Sequence, residues 1–152
     1  MRVNRHAAVA LLVAPVLALL AWLAVGRLAG EAPAPAQPGR SYPLLAQPNC
    51  RYASGACDLK NAGFALRMAV GEGVSPRLRI SASHALDQVQ VAVATPGGDP
   101  APTALQRGAD GSWVTRLAAR PGAADRIRLV AQAAGSFYYG EAATAFTAPP
   151  ED

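Results

Sequence analysis

Histidine is scarce in this chain of 152 residues: there are two, His6 and His84. Ser-His-Asp or Cys-His machinery needs an imidazole to accept the nucleophile's proton. Past the first apolar run it would have to rest on His84, whose nearest acid is Asp87, three residues on. There is no GxxxxGK[ST] phosphate loop and no HExxH pair, so the chemistries those motifs carry are not indicated. Cysteine is limited to Cys50 and Cys57, and methionine to Met1 and Met68. No catalytic residue, metal ligand or cofactor is assigned, and the chain is read as not an enzyme.

Lysine occurs once, at Lys60. The pI near 9.6 points at first to nucleic acid, but the distribution argues otherwise. Arg2, Arg5 and Arg27 flank the apolar run, and residues 31–152 hold 11 basic against 10 acidic side chains. Most of the net charge of +4 is therefore a topology signal and not a binding patch. No nucleic-acid partner is expected.

What the chain does have is an uncharged apolar run from Ala7 to Val25 behind Arg2, Arg5 and His6. Its length suits a hydrocarbon core of about 30 Å. Pro15 lies inside it, which spanning helices tolerate. A secretory signal has a shorter apolar centre and a small-residue cleavage site. Leu28-Ala29-Gly30 and Ala34-Pro35-Ala36 serve poorly as such a site, and no lipobox-type cysteine follows the run. An uncleaved signal anchor is expected, with a cleaved signal as the alternative. Residues 1–6 are then cytoplasmic, 7–27 are a single transmembrane anchor, 28–40 a Pro/Ala-rich linker, 41–148 an exported domain and 149–152 a tail. The linker's EAPAPAQPGR favours extended backbone at about 3.1 Å per residue.

From Gly63 the pattern has period two. Phe64, Leu66, Met68 and Val70 alternate with Ala65, Arg67 and Ala69; Leu78, Ile80 and Ala82 with Arg77, Arg79 and Ser81; Val89, Val91 and Val93 with Gln88, Gln90 and Ala92; Ile127, Leu129 and Ala131 with Arg126, Arg128 and Val130. Such alternation marks half-buried antiparallel strands. Ser112–Leu117, after Asp110-Gly111, predicts another, with Thr103–Arg107 as its hairpin partner. A last strand is expected from Phe137 to Thr147, with Gly140 as a bulge or bend. No helical stripe follows residue 40. Six or seven short strands predict an all-β, immunoglobulin-like antiparallel sandwich. The Cys-Trp-Cys spacing of immunoglobulin domains is absent, because both cysteines precede the first clear strand. Trp113 and Met68 read as core and His84 as a solvated loop residue.

Cys50 and Cys57, close together in an exported chain, predict a disulfide stapling the domain's N-terminal edge. Closing eight residues contributes about 2.5 kcal/mol by loop entropy. The alternative is a reduced pair holding a soft metal such as Cu(I). Arg67, Arg77, Arg79, Arg126 and Arg128 all fall at outward positions. On neighbouring strands they would form one basic patch facing anionic lipid or an acidic partner. In Phe137-Tyr138-Tyr139 neighbouring rings point oppositely, so at least one is exposed, and Tyr138 and Tyr139 are the candidate interface aromatics.

Tyr42-Pro43-Leu44-Leu45, Cys50 and Ser54-Gly55-Ala56-Cys57-Asp58-Leu59 together resemble an element of signal-anchored envelope proteins of proteobacteria. There, paired cysteines precede a small periplasmic β-sandwich. The layout is also similar to membrane-anchored accessory proteins of cytochrome oxidase assembly, although methionine-rich strands for copper handling are missing. The resemblance implies a single-pass protein of the bacterial inner membrane with its domain in the periplasm. The expected function is a non-enzymatic interaction module, an accessory or assembly subunit with a protein partner in the envelope. The alternative is a periplasmic domain binding a small ligand or copper.

Overall fold

The structure is a computed structural model that describes residues 5–29 and 36–149, with helix side chains from residues 9 to 24. It contains two units, residues 1–35 and 36–152, described separately below.

The first unit is helix α1, Arg5–Ala29, which runs through Pro15. Its described side chains are exposed, Leu11 and Trp22 by more than three-quarters. Among the described residues no helix is long and apolar enough to cross a membrane. The remaining parts of the expected span at 7–27, and linker residues 30–35, lie outside the described side chains.

The second unit is all β. Its strands are β1 (Ser41–Ala46), β2 (Ala56–Asn61), β3 (Phe64–Val70), β4 (Arg77–Ala82), β5 (Gln88–Ala94), β6 (Thr103–Ala104), β7 (Gln106–Arg107), β8 (Trp113–Arg116), β9 (Arg126–Ala133) and β10 (Ser136–Ala143). They form one continuous sheet in the order β6-β5-β9-β10-β1-β2-β3-β4-β8-β7. Strand β1 is the hinge of the sheet. Ser41–Leu44 pair in parallel with β10, whereas Leu45 and Ala46 pair antiparallel with β2. It thus joins a front half (β6-β5-β9-β10-β1) to a back half (β1-β2-β3-β4-β8-β7).

The two halves lie face to face. Their inward side chains share one core, from Leu66, Met68, Leu78 and Ile80 at the back to Val89, Ile127, Leu129 and Ala131 at the front. The Phe64 ring stacks on Tyr138 with centroids 3.8 Å apart, and Tyr42 and His84 extend the stack at 5.6 Å on either side. Full burial of each large apolar side chain contributes about 1.5–3 kcal/mol, so this shared core is the main force closing the sheet on itself.

Strands β3, β4, β5 and β9 match the period-two expectation, with Met68 fully buried and Trp113 nearly so. Several expectations need correction. Among the described residues there are ten strands, not six or seven, and the β1–β10 pair is parallel. Residues 37–40 were assigned to the linker, yet they are bonded into the domain: Gly39 N–H donates to the Gly135 carbonyl, and the Ser136 hydroxyl to that of Gln37. The cysteines do not precede the first strand, because Cys57 lies on β2 and Cys50 in the 3₁₀ turn Pro48–Arg51. Thr103–Arg107 does not form one hairpin arm. It splits at buried Leu105, so that β6 pairs with β5 at the front and β7 with β8 at the back. The last strand ends at Ala143, and a 3₁₀ turn follows over Ala145–Thr147.

Gly140 is neither bulge nor bend, since it pairs regularly with Leu129. A Cβ there would sit 2.8 Å from Leu59 Cδ2, 3.0 Å from Leu44 Cβ and 3.2 Å from the Leu44 carbonyl oxygen. The glycine leaves the room that its β1 neighbour Leu44 and Leu59 of β2 fill.

Candidate functional site: the two outer faces

Alternation sends every second side chain of each strand away from the core, so each half presents an outer face. The back face carries Asp58 and Lys60 on β2, Arg67 on β3, Arg77 and Arg79 on β4, and Val114 and Arg116 on β8. The front face carries Arg126, Arg128, Val130 and Gln132 on β9. Beside them stand Phe137, Tyr139 and Glu141 on β10, Gln88, Gln90 and Ala92 on β5, and Pro43 on β1.

The expected single basic patch is therefore divided. Arg67, Arg77 and Arg79 lie on the back and Arg126 and Arg128 on the front, with the core between. Period two places all five outward but does not say on which half. Three of them are also paired. Arg67 Nε donates to Asp58 Oδ1 at 2.7 Å, Arg79 Nη1 to Asp110 Oδ2 at 2.6 Å, and Arg128 to both Asp99 and Glu141 at 2.7 Å. The Arg67 hydrogen bond holds the Asp58 carboxyl below its ordinary 3.8. The Ser112 hydroxyl and backbone N–H, more than the nearby Arg79 charge, do the same for Asp110. Exposed ion pairs of this kind contribute little each. They still replace bare cations with locally compensated pairs.

The front face is less polar. Register aligns three rows across its strands: Gln88, Gln132, Phe137 and Ser41; Gln90, Val130, Tyr139 and Pro43; Ala92, Arg128 and Glu141. Val130, Phe137 and Tyr139 are each 40–47% exposed, and Leu45, beyond the end of the parallel pairing, is 69% exposed. Pro43, Leu45, Val130 and Tyr139 line a shallow groove of about 560 Å³, together with Arg128 and Glu141. Contiguous exposed apolar side chains rimmed by polar ones mark interaction surfaces, unlike scattered single ones.

Of the two expected interface aromatics, Tyr139 belongs to this face and Tyr138 does not. Tyr138 points inward, buried against Phe64, and burial pushes its phenol above the ordinary 10.0. Phe137 takes its place outside. Leu45, Pro43 and Val130 were not assigned to any site. Val130 carried a signal, an apolar side chain at a position where the strand's period calls for a polar one.

Cys50 and Cys57 form a disulfide. Both are buried to 1% or less, and β2 lies inside the sheet between β1 and β3, so the bridge is a core element and not an edge staple. Joined sulfurs offer no thiolate to a soft metal. His84 is exposed; its Nδ1 lies 2.8 Å from the Ser83 hydroxyl, which also accepts the Ala65 N–H. That hydroxyl extends the β3–β4 ladder. Among the described residues no group of three or more His, Cys, Asp or Glu side chains is placed to hold a metal ion. A groove of about 860 Å³ lies beside Arg120, whose guanidinium donates to the carbonyls of Gly71, Gly73 and Thr147. Arg120 thereby clasps the C-terminal turn to the β3–β4 connection.

No protein-family model, curated protein or solved structure matches this chain.

Proposed function

We propose that the protein is a membrane-anchored, non-enzymatic interaction module of the bacterial envelope, an accessory or assembly subunit that docks a protein through its front face. The β domain is read as an immunoglobulin-like sandwich in the periplasm, and α1 as its single-pass anchor in the inner membrane. The observation that carries the reading is the apolar cluster of Leu45, Val130, Phe137 and Tyr139, left in solvent although the core beneath it is complete. Supporting the anchor, the chain between His6 and Arg27 has no charged residue, and a helix apolar all round needs an apolar surrounding.

The test is photocrosslinking in intact cells, with a photoreactive amino acid at Tyr139 or Val130, and at Arg79 as the opposite-face control. Protein adducts from the two front positions and none from Arg79 are expected. Equal yields from both faces, or none from the front, would refute the docking face.

A further inference from the structure

We infer that the protein docked on the front face is a second copy of this chain. The inference rests on the reading of that face as a docking surface and names its occupant.

A two-fold contact sets one patch against itself, so the patch must complement itself. The front face does so in three respects. Its centre is apolar, with Val130 between Tyr139 and Gln90. Its charges balance, Arg126 and Arg128 against Asp99 and Glu141, with Arg128 tied to both acids. Its remaining polar members, Gln88, Gln90 and Gln132, are amides, which both donate and accept and so can satisfy a copy of themselves. A two-fold axis running across the strands through the Val130 row sets Val130 against Val130. It also lays the Gln88–Gln132 row of one copy over the Arg128–Glu141 row of the other. There the Gln132 amide lies over Arg128 of the other copy and can accept from its guanidinium, while Phe137 lies over Glu141.

The back face could not be used this way. Lys60, Arg67, Arg77, Arg79 and Arg116 face Asp58 and Asp110, an excess of cations that would repel its own image. Arg77 and Arg116 are already direct cross-strand neighbours. Charge therefore selects the front face for self-association and leaves the back face in solvent.

The experiment is sedimentation velocity of the full chain in detergent across a concentration series, beside Val130→Lys, Tyr139→Lys and the back-face control Arg79→Glu. All three positions are outward, and circular dichroism checks that each variant is folded. The parent chain and Arg79→Glu are expected to dimerise. The two front-face lysines, each meeting its own image across the axis, are expected to weaken the dimer by about 100-fold or more. A monomeric parent chain would overturn the inference, as would a dimer that both lysine variants leave intact. In-cell adducts from Tyr139 to a different protein, with the pure chain monomeric, would remove self-association and leave the docking face standing. No front-face adduct of any kind would remove both.

Discussion

Gly140→Ala tests how closely β10 approaches β1 and β2. The added methyl would meet Leu59 Cδ2 at 2.8 Å, Leu44 Cβ at 3.0 Å and the Leu44 carbonyl oxygen at 3.2 Å. Leu44 presents backbone and Cβ, which cannot rotate away. Leu59 is fully buried, so its methyl has no free space to turn into. Overpacking of this kind costs about 1–3 kcal/mol. Against it, alanine restricts the unfolded chain and offsets about 0.4–1 kcal/mol. The net expectation is a loss of about 1–2 kcal/mol, or about 4–8 °C in Tm at about 4 °C per kcal/mol for a domain of this size. The assay is urea unfolding followed by Trp113 fluorescence in a Trp22→Phe background. Gly63→Ala is the control: nothing lies within 4 Å of its Cβ, so its stability should be unchanged or rise by up to about 1 kcal/mol. Should Gly140→Ala unfold within about 0.5 kcal/mol of the parent, the close approach of β10 to β1 and β2 is wrong.

Other perturbations have equally definite outcomes. Replacing Cys50 and Cys57 together by alanine should cost about 2–5 kcal/mol in the same unfolding assay, and native protein should resist thiol labelling after mild reductant because both sulfurs are buried. Phe64→Ala removes the middle of the ring stack and should cost about 3–5 kcal/mol, which a shift in urea midpoint would show. The carboxyls of Asp58 and Asp110 lie below their ordinary 3.8 in the folded state. Their stabilisation is therefore fully present above that value and is lost as pH falls through the lower folded values. Asp58→Asn should flatten the decline in urea midpoint as pH falls below the ordinary carboxyl value of 3.8. The Tyr138 phenol is raised above 10.0, so its contribution has the opposite sense, present below pH 10 and lost as pH rises through the folded value; Tyr138→Phe should lessen the alkaline loss.

Much of the fold was legible from period two. Strands β3, β4, β5 and β9 each alternate a buried apolar and an outward side chain, a property of the extended backbone alone. β1 escaped because Pro43 interrupts any regular run, and because the strand serves two ladders of opposite sense. β2 escaped for a chemical reason. Cys57-Asp58-Leu59-Lys60 alternates as cleanly as β4 does, but only if a disulfide cysteine is counted as an apolar, inward side chain. Thr103–Arg107 misled because a strand partner is a matter of which sheet the chain has crossed into, and Leu105 marks the crossing only by its burial. The make-up of the front face was half legible. Phe137-Tyr138-Tyr139 had to expose at least one ring, and it exposes two. Which phase points outward depends on the pairing of β10 with β9.

Local physics therefore determined the strand periodicity, the apolar helix and the disulfide, since each depends on side chains within a few residues of one another. Strand order, the division of five outward arginines between two faces and the need for glycine at position 140 were decided only by the tertiary structure. Their causes are contacts between segments remote in sequence. Ser41 pairs with Phe137, and the Ser136 hydroxyl reaches the Gln37 carbonyl 99 residues away. No window along the chain contains both partners.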